Sequence, residues 1–221
     1  MATQYPHVED GIEIRVATEE DREGVWNLLC KYFFRDEPLT NGSEPKEETN
    51  FGKEFLLSNI AHGTCFLAVV KDTNELVGVT VAGPKGPEEP EHLAKAAAEE
   101  GNTKWGRILK FLEKVERDAD VYKRYNVTKV LHVIATCVEE KMRGKNIGAR
   151  LYNAVNDIGK QMGFELQTAD CTSFYSARIK DRLGWECVNV AYYKDYFDAD
   201  GKQVFRPDPP HECCKTFAIR L

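Results

Sequence analysis

One stretch constrains this chain more than any other: a long apolar run that passes through a basic, glycine-containing turn into an amphipathic helix. Val127 to Val138 (VTKVLHVIATCV) reads as a strand, EEKMRGKN as the turn. From Ile147 onward, Leu151, Val155, Ile158 and Met162 recur at helical spacing. Such a handover leaves backbone N–H groups free at the positive end of a helix, which suits a pyrophosphate. Arg143 and Lys145 add charge, and Gly144 and Gly148 permit close approach of the backbone. Read from the residues alone, the same turn is equally an ordinary strand–helix connection with solvated basic side chains. It is neither a Walker loop nor a dinucleotide fingerprint, because G-x-x-x-x-G-K-[ST] and G-x-G-x-x-G are both absent.

The rest of the chain organises around this unit. Ile12, Ile14 and Val16 alternate with charged residues as in a half-buried strand. Thr18 then caps a helix with Glu19, Glu20 and Asp21 in its first turn, reaching about Phe34. RDEPLTNGSEP reads as a loop, and a second helix is expected from about Lys46 to Asn59. CFLAVV and LVGVTVA form a hairpin across KDTNE. Residues 83–125 begin with a Pro- and Gly-rich crossing, then read as helices broken near Gly101-Asn102. This helical insertion is expected to lie over the substrate site as a lid. FELQTA, the helix SFYSARIKDRL ended by Gly184, the strand WECVNVAYY, the turn Asp198–Gly201 and the strand CKTFAIRL follow. This order predicts a single mixed α/β domain over 1–221, with a central mixed sheet of about seven strands and helices on both faces.

Lys plus Arg total 30 against 36 for Asp plus Glu, a formal net charge of −6, which argues against a nucleic-acid binder. The 7 cysteines have no metal-ligand spacing, so no metal is expected. Their odd number, and the lack of an apolar leader or membrane-length run, point to reduced thiols in a cytoplasmic, non-membrane protein. A monomer is the expected state.

R-G-K-N-I-G-A (Arg143 to Ala149) resembles the acetyl-CoA loop, [RQ]-x-x-G-x-[GA], of the GNAT superfamily of N-acetyltransferases. The order of elements matches that fold over nearly the whole chain. Asn146 stands where the first glycine of the motif is usual, and Asn tolerates left-handed backbone better than other residues with a side chain. The resemblance implies acetyl-CoA as cosubstrate, held by Cys137, Val138, Arg143, Gly144, Lys145, Asn146, Ile147, Gly148, Ala149 and Ser173. FFRDEPLT and CTSFYSARIKDRLGW are similar to segments of the insect arylalkylamine N-acetyltransferases. That similarity implies Glu37 as general base, with Thr172 and Ser176 assisting, and an amine pocket at Phe33, Phe34, Glu37 and Pro38. The tyrosine that often protonates the leaving thiolate in this superfamily is replaced by Lys180, which moves that role towards Ser176. The histidine pair of the vertebrate enzymes has no counterpart, as His132 is out of register.

The chemistry implied is direct transfer in a ternary complex. A primary alkylamine has a pKa near ~10, so at neutral pH well under ~1% is free base and a proton must first be removed. A carboxylate at the end of an apolar pocket is suited to this. Backbone N–H at Cys137 or Val138 would meet the developing oxyanion, and Ser176 the departing thiolate. Arylalkylamines such as dopamine, serotonin, tyramine and octopamine are the expected acceptors. Polyamines, agmatine or histamine are the alternative, and an additional acid in the pocket would favour them. A protein acetyltransferase or a non-catalytic acyl-CoA-binding module is a further alternative.

Overall fold

The computed structural model describes residues 4–43 and 52–221. Its centre is an eight-stranded sheet in the order β1-β2-β3-β4-β5-β6-β8-β7. β1 (His7–Glu9) and β2 (Ile12–Val16) form a hairpin closed by Asp10 and Gly11, with φ of 49° and 72°. Two left-handed residues are what a two-residue hairpin turn needs, and Asp-Gly supplies them. β1 is the strand beyond the seven expected; its three residues are exposed and carry no apolar alternation.

Helix α1 (Arg22–Leu28) runs through a π-helical turn at Leu29–Phe33 into α2 (Phe34–Asp36). Glu37 then turns extended (φ −78°, ψ 123°) and caps α3 (Pro38–Asn41). The stretch expected as a loop therefore holds a helical turn. Proline opens it readily, because the N–H it lacks would have had no intrahelical acceptor there. Of the helix expected from about Lys46, residues 46–51 lie outside the described ones. α4 (Lys53–Leu57) and a 3-10 turn at Ser58–His62 form its remainder.

β3 (Phe66–Val70) and β4 (Glu75–Lys85) make the expected hairpin. α5 (Glu89–Glu100) and α6 (Lys104–Ala119) pack on one another across Gly101 (φ 62°), and α7 (Val121–Tyr125) leads to β5 (Val130–Val138). α8 (Ile147–Gln161), β6 (Leu166–Cys171), α9 (Phe174–Arg182), β7 (Glu186–Tyr192) and β8 (Cys213–Arg220) complete the chain. Both sheet faces are buried, as β3 illustrates. Phe66 and Ala68 enter the layer of α8, while Leu67 and Val69 enter that of α1 and α4. Each large apolar side chain so buried contributes roughly 1.5–3 kcal/mol.

The strand β5 creates the site. It pairs in parallel with β6 over Val130–Val133 only, and its register against β4 shifts so that Ala135 follows Val133 in pairing, with Ile134 extra. Such a bulge bends a strand. Beyond it, β5 pairs with β4 alone, while Asp170 and Cys171 of β6 pair with β8 alone. The sheet splits there into two lips.

Candidate active site

A cavity of about 1440 Å³ occupies this split, lined by both lips and by helices from both layers. On one side lie Cys137 and Val138, and on the other Thr172 and Ser173. Burial pushes the Cys137 thiol up to about 12, so it is no nucleophile at neutral pH. The turn after β5 delivers Arg143, Gly144, Asn146, Ile147, Gly148 and Ala149 to the cavity wall. Asn146 is left-handed (φ 60°, ψ 11°) immediately before α8, and Gly144 is at φ 81°. The first-turn amides of α8 have no intrahelical acceptor and stand at the helix's positive end. Of the loop residues expected to hold coenzyme, Lys145 does not itself line the cavity; its Nζ lies 3.5 Å from Sδ of Met142, which does.

Arg143 ties this loop to the neighbouring helix. Its Nη2 meets Asp36 Oδ2 at 2.7 Å, and its Nε donates to the Val138 carbonyl at 3.1 Å. The Arg35 guanidinium, followed by that of Arg143, holds the Asp36 carboxyl below the usual carboxylate range.

Next to Asp36, Glu37 lines the cavity and is 8% exposed. Its Oε1 accepts from Leu39 N at 3.0 Å, and its Oε2 from Thr40 N at 2.7 Å and Thr40 Oγ1 at 2.8 Å. A carboxylate oxygen accepts about two hydrogen bonds, so Oε1 retains capacity for an incoming proton. Phe33, Phe34 and Pro38 share this wall. Trp105, Ile108 and Leu112 of α6 also line it, so the 83–125 segment forms a wall of the cavity.

Thr172 and Ser176 line the cavity too. Ser176 Oγ donates to the Ser173 carbonyl at 2.9 Å, a local back-bond, and Ser173 Oγ caps α9 by accepting Ser176 N at 3.1 Å. Lys180 does not reach the cavity. It is 0% exposed, with its Nζ 3.3 Å and 3.5 Å from the ring centroids of Tyr152 and Trp185. Trp185 is likewise a core residue. His211, which sequence reasoning missed, stands on the cavity wall from the loop before β8 and accepts Phe174 N at 3.1 Å on Nδ1. Burial lowers its pKa against the opposing effect of Glu37.

Also missed was a polar cluster that lines the same cavity: Lys85, Glu89, Glu116, His132 and Asp170. Lys85 Nζ binds Glu116 Oε1 and Oε2 at 2.7 and 2.8 Å, and approaches His132 Nδ1 at 3.2 Å. Burial, aided by Lys85, drives His132 down to about 3, so it is neutral. Ligand atoms of Glu116, His132 and Asp170 lie within 4.8 Å of one another, a spacing compatible with a metal ion. The ammonium of Lys85 already serves two of the three. A sequence signal for Glu116 existed: it continues the four-residue spacing of Ile108 and Leu112 along the buried face of α6.

Residues 22–184 match the Acetyltransferase (GNAT) family. With the split sheet and its loop, this places the chain in that family, whose members use acetyl-CoA. An agmatine N-acetyltransferase structure is 42% identical, with a TM-score of 0.91 over 96% of this chain and 100% of that one. A Drosophila melanogaster polyamine N-acetyltransferase, which forms N-acetylagmatine, is 43% identical, with a TM-score of 0.90 over 95% and 100%. A mosquito arylalkylamine N-acetyltransferase, like 5b, is 34% identical, also with a TM-score of 0.90 over 95% and 100%. The chain is thus a GNAT acetyltransferase.

Proposed function

We propose that this enzyme acetylates the primary amine of a small molecule by direct transfer from acetyl-CoA, with Glu37 as general base. The observation that carries the reading is that one cavity joins Glu37 to the Arg143–Ala149 loop through the split between β5 and β6. Arg143, Gly144 and the Asn146–Ala149 turn would hold the diphosphate of the coenzyme. The coenzyme, when bound, supplies an acetyl thioester. Glu37 Oε1 takes the ammonium proton, directly or through one water, leaving a lone pair to form the C–N bond. Glu139 N donates to Val77 of β4, so Cys137 N–H, two residues earlier, faces β4 as well. Val138 N–H faces the split, where it would meet the developing negative charge. As the C–S bond breaks, Ser176, with Thr172 assisting, would pass a proton to the departing thiolate and recover one from the nitrogen, which sheds its second proton to become the amide.

Dopamine, serotonin, tyramine and octopamine are one acceptor class, supported by the likeness to the mosquito enzyme and by Phe33 and Phe34. Agmatine and polyamines are the second, favoured by the acids in the cavity wall and by the likeness to the two enzymes at 42% and 43% identity. Free-thiol release from acetyl-CoA with a panel of both classes tests the activity, and silence with every amine would sink it. Glu37→Gln is expected to lower turnover about 10²- to 10⁴-fold at pH 7. The loss should shrink near pH ~10, where free amine is abundant. A loss independent of pH would remove Glu37 from proton transfer.

A further inference from the structure

Coenzyme binding and proton removal leave part of the cavity wall without a task. There, Lys85 neutralises Glu116, donating to both its oxygens. Because Lys85 also donates to His132 Nδ1, the imidazole proton sits on Nε2. That Nε2–H faces Asp170 Oδ2 at 3.7 Å, beyond hydrogen-bond reach. Asp170 Oδ1 accepts the Thr216 hydroxyl at 2.6 Å, and the Asp170 carboxyl also shares a hydrogen bond with the carboxyl of Glu116. The Asp170 side chain is 7% exposed and belongs to the cavity wall.

Two buried carboxyl groups in contact cannot both ionise cheaply, so one of the pair keeps a proton unless a cation replaces it. Burial, followed by the proximity of Glu116, raises Asp170 to about 7. Glu89, on the same wall, is raised by the same two causes, opposed by Lys85 and then by His92, whose Nδ1 lies 3.7 Å away. Summed over the cluster, Lys85 cancels Glu116 and His132 is neutral. Asp170 and Glu89 remain as two further carboxyl groups in the same cavity as the proposed base.

We propose that Asp170, assisted by Glu89, is the subsite for a second cationic group on the substrate, so that the enzyme prefers flexible dications, guanidinoalkylamines or diamines, over monoamines. This rests on the acetyl-transfer reading and names its substrate class. A guanidinium brings five N–H donors in a plane, enough to engage Oδ2 and a second acceptor together. Its charge replaces the proton that Asp170 otherwise holds. A metal is the weaker occupant, since Lys85 already supplies the positive charge beside Glu116.

The test compares agmatine, putrescine, butylamine and tyramine with the wild type, Asp170→Asn and Glu89→Gln. In the wild type, kcat/KM for agmatine should exceed that for butylamine by about 10- to 100-fold, the worth of a hydrogen-bonded charge. Asp170→Asn should collapse that ratio towards one. Glu89→Gln, an isosteric change on a side chain 26% exposed, should lower it in the same direction. A wild-type ratio near one, an equal fall for agmatine and butylamine, or a preference for tyramine that vanishes with Asp170 would overturn the proposal. Calorimetry of agmatine against the CoA-loaded protein reads binding without turnover. Heat with the wild type that Asp170→Asn abolishes supports the subsite even if no amine is acetylated, and equal heats in both proteins refute it.

Discussion

Lys180 keeps its Nζ from every hydrogen-bond acceptor among the described residues and rests it over the rings of Tyr152 and Trp185. Two effects oppose each other there. The ring faces attract the ammonium, by up to about 2 kcal/mol when desolvated. Burial disfavours it and lowers Lys180 to about 7. An unfolded lysine keeps its proton to about 10.4. Between these values the unfolded chain binds more protons than the folded one, so this residue makes stability rise with pH across that window. Below about 7 the folded protein bears the full cost of the charge. Lys180→Met removes the charge and keeps an unbranched chain of similar bulk. It should raise the melting temperature more at pH 6 than at pH 9, as read by scanning fluorimetry. A smaller gain at pH 6 would mean that the two rings outweigh burial.

Among the elements, the connection from β5 to α8 makes a specific demand on its backbone. Asn146 sits left-handed directly before the helix (φ 60°, ψ 11°), where a glycine is usual. For most side chains that conformation costs roughly 1–2 kcal/mol. Asn146→Gly should therefore keep coenzyme affinity, whereas Asn146→Val should weaken it by about tenfold, a loss of ~1.4 kcal/mol, on titration with CoA. Equal affinity in both variants would show that the loop's shape does not govern binding. This turn was legible in the sequence because its determinants are local: a basic residue, two glycines and an asparagine between a strand and a helix. Most strands and helices were legible too, from their periods. The helical turn at Pro38–Asn41 was hidden by proline, read as a breaker when it was an opener. β1 was hidden by polar composition, although Asp10-Gly11 announced the hairpin. The acid cluster was beyond reach for another reason. Lys85, Glu116, His132 and Asp170 lie on four different elements, and they meet only because β4, β5 and β6 are neighbours and α6 packs beneath. No spacing within one segment encodes that meeting.

At the scale of the molecule, the sheet is two antiparallel halves, β1 to β5 and β6-β8-β7, joined by the short parallel pairing of Val130–Val133 with Leu166–Ala169. The split beyond that seam removes strand hydrogen bonds from β5 and β6 at their carboxyl ends, a cost that the fold recovers only if something spans the lips. A coenzyme held by the Arg143–Ala149 turn and lying between Val138 and Thr172 would do so. Binding to the folded state alone stabilises it by RT ln(1 + [L]/Kd), about 2.7 kcal/mol at a hundred times Kd. For a chain of this size each kcal/mol moves the midpoint by about 2–4 °C, so CoA should raise the melting temperature by roughly 5–10 °C. ADP alone engages the turn but not the lips. If bridging matters, it should give a clearly smaller shift at the same multiple of its own Kd. The simple binding law gives equal shifts at equal saturation, so any excess for CoA measures cooperative closure of the two halves. Equal shifts would mean that the halves are already one rigid body, and that the seam at Val130–Val133 suffices to hold the cleft in its open form.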